Sequence, residues 1–312
     1  MADLFNMDDS MGMGFLDKKA GSNDGIYRPN LKNAKDKKKG YRAVLRFLPN
    51  FTNEGKLGEF QITKLVHYAN FTDYTDLNGY YDSMKSFGKA EKCDLYDTFW
   101  QLKNSKSVVQ QERAKQIAYS TKYYSYVQVI EDENQPEMEG KIMIFPFGKK
   151  IKEKIAAEYS GEITGEKCNV YDIANGKDFV LIIREVGGFA NYDSSTFKPE
   201  VSAIKISGKE VPVVEDSNGK RSINAKFQEH VKGYLLKRDK NLEDFAPQRW
   251  TEQQRGKVQR IVEILTGNPV SHANTSINTA SKTDFFNEPE VVSTSSSSHS
   301  DDVDPDDFFD NI

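Results

Sequence analysis

Runs of period-two sequence constrain this chain more than anything else in it. YRAVLRFLP (41–49) sets Arg42, Val44 and Arg46 on one face and Ala43, Leu45 and Phe47 on the other. YYSYVQVIED (123–132) and GKIMIFPFG (140–148) are dense in aromatic and β-branched residues. PEMEG between them makes a hairpin connection, so the two runs are expected to be antiparallel neighbours. DFVLIIREVGGF (178–189) reads as a buried strand that ends at a Gly pair. Helical signals are fewer. KKIKEKIAAEY (149–159) follows the hairpin. In TEQQRGKVQRIVEILTG (251–267), Thr251 and Gln254 make a capping box, Val258, Ile261, Val262 and Leu265 form one face, and Gly267 then Pro269 stop the helix. Short strands, hairpins and scattered helices predict an α+β chain built on a small β-barrel, not a βαβ sheet.

The pattern does not extend to either end. Residues 1–25 are rich in Met, Gly and Asp and read as a flexible arm; residues 26–267 carry the folding signals. Residues 268–312 turn to Pro, Asn, Thr and Ser and then to an acidic end, too little apolar surface to offset chain entropy, so disorder is expected there. The mean hydropathy of −0.68 agrees with a chain that packs only in part. No run approaches the roughly 20 apolar residues of a membrane span, and the acidic start does not resemble a secretory signal. Two cysteines, Cys93 and Cys168, make no disulfide framework, which fits a reducing cytoplasm. After Lys282 there is no Lys or Arg but there are nine acids, which leaves 38 acids against 43 bases in the rest. A mildly basic body with an acidic tail points to a polyanionic partner.

Catalytic motifs are missing. There is no glycine-rich phosphate loop, no nucleophile elbow and no His-Glu-x-x-His, and the four histidines are scattered. A metal-dependent nuclease would need acids such as Asp94, Asp97 and Asp193 to cluster around two metals; the acids instead lie in exposed-looking runs, and no enzyme is expected. What recurs is basic residues beside aromatics. Lys37, Lys38, Lys39, Arg42 and Arg46 accompany Tyr41 and Phe47; Lys122 precedes Tyr123, Tyr124 and Tyr126; Lys149 and Lys150 follow Phe145 and Phe147; Lys198 follows Phe189, Tyr192 and Phe197. Such a surface binds single strands, with bases stacked on rings for about 1–3 kcal/mol each and cations along the phosphates. Phe47 and Phe147 read as core; Tyr81, Tyr123, Phe189 and Tyr192 sit in polar or strand-end contexts that favour exposure.

The stretches YRAVLRFLP, CDLYDT, EMEGKIMIFPFGKKIKEKI and FVLIIREVGGFANYDSSTF, in that order, resemble the T-even-type bacteriophage single-stranded-DNA-binding (helix-destabilising) protein family over roughly residues 41–197. The resemblance implies an OB-fold core with a cleft, cooperative coating of single-stranded DNA in phage replication, recombination and repair, no catalysis, and a location in the cytoplasm of the infected bacterial host. It implies stacking roles for Tyr81, Tyr123, Phe145, Phe189 and Tyr192. Phosphate contacts are assigned to Lys39, Arg42, Arg46, Lys122, Lys149 and Lys150. An RNA-binding translational regulator using the same cleft is the alternative, because nothing in the sequence reads a 2′-hydroxyl.

Two departures from the family pattern stand out. The family's zinc subdomain uses one His and three Cys, but here YYDSMKSFG puts Met84 and Phe87 at two Cys positions and retains only His67, with Cys93 the nearby thiol. One His and one Cys cannot close a tetrahedral site, so no zinc is expected and a small hydrophobic cluster is expected in its place. The N-terminal arm lacks the family's short basic motif, which leaves its part in self-association along DNA open. The tail ends in Asp306, Asp307, Phe308 and Phe309, where an aromatic pair among acids is suited to anchoring in replication and recombination proteins. The same tail can compete intramolecularly for a basic cleft.

Overall fold

The computed structural model describes residues 24–267 apart from 37, 52–55 and 163–164. The expected tail anchor (Asp306, Asp307, Phe308, Phe309) and nearly all of the arm lie outside the described residues. The described chain is α+β. In chain order its main elements are β1 (Tyr41–Leu48), β2 (Ile62–Ala69), β3 (Gly79–Asp82), α1 (Asp94–Lys103), α2 (Val108–Ala114), β4 (Tyr119–Asp132), β5 (Ile142–Phe147), α3 (Lys149–Ser160), β6 (Gly176–Val186), β7 (Phe189–Asn191), β8 (Thr196–Ser202), α4 (Gln228–Leu235) and α5 (Glu252–Thr266). Two small two-stranded ribbons lie between β8 and α4.

The eight strands form one sheet in the order β3-β2-β4-β1-β6-β7, with β5 on β4 and β8 on β6, and every strand pair is antiparallel. β4 organises it. Tyr123 pairs with both Thr63 and Phe147, and Gln128 with both Arg46 and Ile142, so β2 and β1 meet one edge of β4 in succession while β5 takes the other. The hairpin expected between β4 and β5 is present, its connection holding a short 3-10 turn at Pro136–Met138. α5 has the expected capping box at Thr251 and Gln254, and Gly267 ends it in the left-handed conformation (φ 71°).

Period two along β4 divides the interior. Val127 and Val129 enter a cluster with Ala43, Leu45 and Phe47 of β1, Phe145 and Phe147 of β5, Phe179, Leu181 and Ile183 of β6, and Ile151 and Ile155 of α3. Tyr126 enters a second cluster on the opposite face, with Leu48, Ile144, Val231 and Leu242. A third cluster stands beyond β2 and β3, where α1 brings Leu95, Phe99 and Leu102, α2 brings Ala114, and α5 brings Val258, Ile261 and Leu265 around Tyr81, Met84 and Cys93.

β1 lies between β4 and β6, so both of its edges are paired, and neither face is open beyond Arg42: Ala43, Leu45 and Phe47 enter the first cluster, and Val44 and Arg46 on the other face are fully buried too. Arg46, on the face expected to look outward, has no exposed surface. Its guanidinium donates to Asp178 Oδ1 at 3.3 Å, Ser202 Oγ at 2.9 Å, Ser202 O at 2.6 Å and Asp172 O at 2.9 Å. The expectation that Arg46 tracks a phosphate is therefore corrected, because the side chain is fully buried and both terminal nitrogens, Nη1 and Nη2, are used inside the fold. Burial pushes its pKa down while Asp178 opposes that shift.

Candidate nucleic-acid interface

The first cluster is not sealed. Phe60, Tyr123 and Tyr192 lie against it half-buried, each from a different part of the chain. Tyr123 stands on β4 across from Phe147 and stacks on it, with centroids 5.7 Å apart and rings 20° from parallel; Phe147 stacks in turn on Phe145 at 5.6 Å and 28°. Phe60 stacks on Tyr171 at 5.2 Å and 29°. Tyr192 follows a two-residue Gly187-Gly188 turn that joins β6 to β7, both glycines at positive φ (61° and 88°) as a tight hairpin of this twist requires. At its tip Val186 and Phe189 face each other across the ribbon, 59% and 38% exposed. The base of the ribbon is pinned by Ser195, whose buried hydroxyl accepts from Ile182 N at 2.9 Å and donates to Ile182 O at 3.0 Å.

α3 links these features. Ile151 and Ile155 fix one face in the core, and Lys149 and Lys150 begin the helix directly after Phe147 and Gly148. One turn on from Lys150, Lys154 donates to Asp193 O at 3.1 Å beside Tyr192. The helix thus carries cations from the Tyr123 end of the cluster to the Tyr192 end. Lys122 adjoins Tyr123 and pairs across the sheet with Lys64, which sits 5.8 Å over the Tyr124 ring and bridges to Asp82 at 3.0 Å. Lys39 and Arg42 lie at the start of β1, where Arg42 pairs with Ile182 at the base of the ribbon. Arg42 makes loose contacts with Glu131 (3.6 Å) and Glu133 (4.0 Å), and Lys39 with Asp36 (4.0 Å). Exposed pairs of this kind hold little free energy, roughly 0–1 kcal/mol, and exchange readily for another anion.

Two expected stacking residues are corrected. Tyr81 is buried in the cluster beyond β2 and β3, and its hydroxyl donates to Leu77 O at 2.7 Å. Phe145 is 3% exposed beneath Phe147. As placed, neither ring offers a face to a ligand. Of the expected set, Tyr123 and Tyr192 border the first cluster and Lys149 and Lys150 open the helix packed on it. Phe189, Lys39, Arg42 and Lys122 are also at or near the surface, Arg42 and Lys122 on the faces of their strands that point away from that cluster, whereas Tyr81, Phe145 and Arg46 are interior. Phe60, Lys154 and Val186 were missed. GEFQITK does set Phe60 beside polar residues and near a lysine, a weaker form of the same basic-aromatic signal.

His67 is fully buried, with Nδ1 2.9 Å from Ile117 O and no hydrogen-bond partner at Nε2. Burial pushes its pKa down to about 4, against the opposing hydrogen bond to Ile117. Cys93 Sγ is 3.4 Å from Ser83 Oγ. Met84 joins the buried cluster as expected, but Phe87 does not: it is 38% exposed under the Arg249 guanidinium, 4.6 Å from the ring centroid. Among the described residues no group of three or more His, Cys, Asp or Glu side chains could hold a metal ion. One imidazole and one thiol are half of a tetrahedral set, and Met84 and Phe87 supply no anionic donor, so the residues do not fit a family-type zinc. Asp94 and Asp97 lie on α1, Asp193 beside Lys154, in separate parts of the fold.

The model of a family described as "gp32 DNA binding protein like" matches residues 39–246. Among curated proteins, the single-stranded DNA-binding protein of Enterobacteria phage T4 is 31% identical over 166 residues and that of Enterobacteria phage T2 is 30% identical over 166 residues. Each alignment covers 50% of this chain and 50% of the relative, so the chain spans about half the length of the curated relatives it matches.

Proposed function

This chain belongs to the gp32 DNA binding protein like family, and from that premise we propose that it coats single-stranded DNA without sequence preference. The observation that carries the reading is the row of half-buried rings at the edge of the first cluster, bordered by the lysines of α3. Tyr123, Tyr192 and Phe189 are assigned to stacking. Lys39, Arg42, Lys122, Lys149 and Lys150 are assigned to phosphates. Rings accept any base and lysines any phosphate, so the site is tolerant of sequence. We read the curled antiparallel sheet as an OB-fold core, with residues 1–25 as an arm for self-association along the strand and residues 268–312 as a tail that competes for the interface and recruits replication, recombination and repair proteins. The role is binding, not catalysis, and its setting is the cytoplasm of an infected bacterium.

The test is a fluorescence titration of the full chain with single-stranded DNA, duplex DNA and RNA of matched length at several salt concentrations. Five cationic contacts predict that log K falls with log salt at a slope of about −3.5 on a single strand. Duplex binding as tight as single-strand binding, or a slope near zero, would sink the assignment; tighter binding of RNA would transfer the site to the RNA-regulator reading.

We further propose that the domain folds without structural zinc, supported by the side chains at positions 84 and 87. Thermal unfolding should be unchanged by dialysis against a strong chelator. A large fall in the midpoint, restored by Zn²⁺, would refute this, since structural zinc contributes folding free energy directly.

A further inference from the structure

We propose that Phe60 is a second nucleobase platform beside that of Tyr123, so that the interface receives neighbouring bases of one strand on two preassembled aromatic stacks. The proposal rests on the single-strand reading above.

Both columns have the same construction. In one, half-buried Tyr123 rests on buried Phe147, which rests on buried Phe145. In the other, half-buried Phe60 rests on buried Tyr171. Tyr171 is held from two sides, by Phe47 edge-on at 5.7 Å and 67° and by a hydrogen bond of 3.2 Å between its hydroxyl and Ser125 Oγ. Burial pushes the Tyr171 hydroxyl up to about 12, which keeps it neutral and hydrogen-bonded.

The columns are also neighbours. Tyr123 and Ser125 are successive residues on one face of β4, about 7 Å apart along the strand, and Ser125 anchors the ring on which Phe60 lies. Tyr123 thus heads the first column, and Ser125 fixes the base of the second one step along. A base added to either column meets an aromatic ring whose orientation is already set, so little ordering entropy opposes stacking. A ring serving only the core finishes buried, as Phe47, Phe145 and Phe179 do. Phe60 instead borders the same cluster as Tyr123 and Tyr192, at similar depth.

The experiment compares the unaltered chain with Phe60→Ala and Phe60→Leu on two short strands of equal length, oligo(dT) and a wholly abasic strand. Active fractions are fixed by stoichiometric titration, so misfolded protein does not enter the affinity. Both substitutions should weaken oligo(dT) binding about tenfold, the loss of one stacked base, and leave abasic binding and the salt slope unchanged. Equal losses on both strands would show that Phe60 only supports the fold, and no loss on either would show that no base reaches it; each result overturns the proposal. If the unaltered chain binds neither strand, the single-strand reading itself fails, an outcome distinct from both.

Discussion

Arg46→Ala is expected to cost about 3–5 kcal/mol of stability, the range for removing one partner of a buried ion pair. Asp178 would be left 7% exposed with Lys198 at 3.5 Å, itself one-third exposed, as its remaining cation. The carbonyls of Ser202 and Asp172 would each lose the Arg46 donor as well, although Asp172 O keeps the Gly176 N–H at 2.9 Å, and a buried acceptor left short of a donor carries its own desolvation cost. Urea unfolding should show a lower midpoint with little change in slope. Arg46→Met with Asp178→Leu should recover part of the loss, because an apolar pair removes the uncompensated charge. Recovery should be incomplete, since Arg46 also secures two carbonyls. The variant additionally separates two roles for this residue. A phosphate contact would lower the salt slope of single-strand binding by about 0.7, whereas a core arginine leaves the slope of the folded fraction unchanged. Unaltered stability with a reduced slope would reverse the assignment made here.

Arg46 also shows what the sequence could and could not reveal. Alternation in β1 is legible in YRAVLRFLP, and Ala43, Leu45 and Phe47 do share one cluster. Alternation alone does not say whether the second face meets water. That depends on β6 and β8, contributed by residues more than a hundred positions away. The β4–β5 hairpin, the capped α5 and the end of β6 at the Gly187-Gly188 pair are legible because their determinants are local, namely turn residues, a capping box and strand periodicity, whereas the exposed ribbon that the Gly pair turns into is not. α1 carries a helical signal in Leu95, Phe99 and Leu102, spaced to share one face, but within CDLYDT itself only Leu95 belongs to that face, and the motif alone does not declare the helix. The cluster α1 forms with α2 and α5 is assembled across the chain and leaves no local trace. The same limit explains Tyr81 and Phe145. An aromatic in a strand with polar neighbours looks alike whether the helices opposite cover it or leave it open. Tyr123 and Phe145, expected to play one role, are separated by a single stacked ring, Phe147.

His67 gives the second large effect, in the pH dependence of folding. Its imidazole is buried and neutral, with a pKa pushed down to about 4 from an ordinary value of 6.5. Above pH 6.5 neither the folded nor the unfolded chain protonates it, and it contributes no slope. Between 6.5 and 4 the unfolded chain takes up a proton that the folded chain refuses, so stability falls as the pH falls. The gap is worth about 3 kcal/mol, most of it lost by the time the pH reaches 4 and the remainder as the pH falls through the folded pKa. The physical cause is burial: Nδ1 has Ile117 O at 2.9 Å, but Nε2 faces a site with no partner for a second proton, among Tyr96, Tyr119 and the rest of that cluster. Other groups titrate over the same range, so the measurement is a difference. Urea unfolding from pH 7 to pH 4 should show the unaltered chain losing about 3 kcal/mol more than His67→Gln, whose amide can donate to Ile117 O and does not titrate. Parallel curves would mean that the imidazole is charged or solvated in the folded chain. A variant that loses stability at pH 7 but becomes less sensitive to acid would place the imidazole where the structure has it, as a neutral donor in a cluster that excludes its second proton.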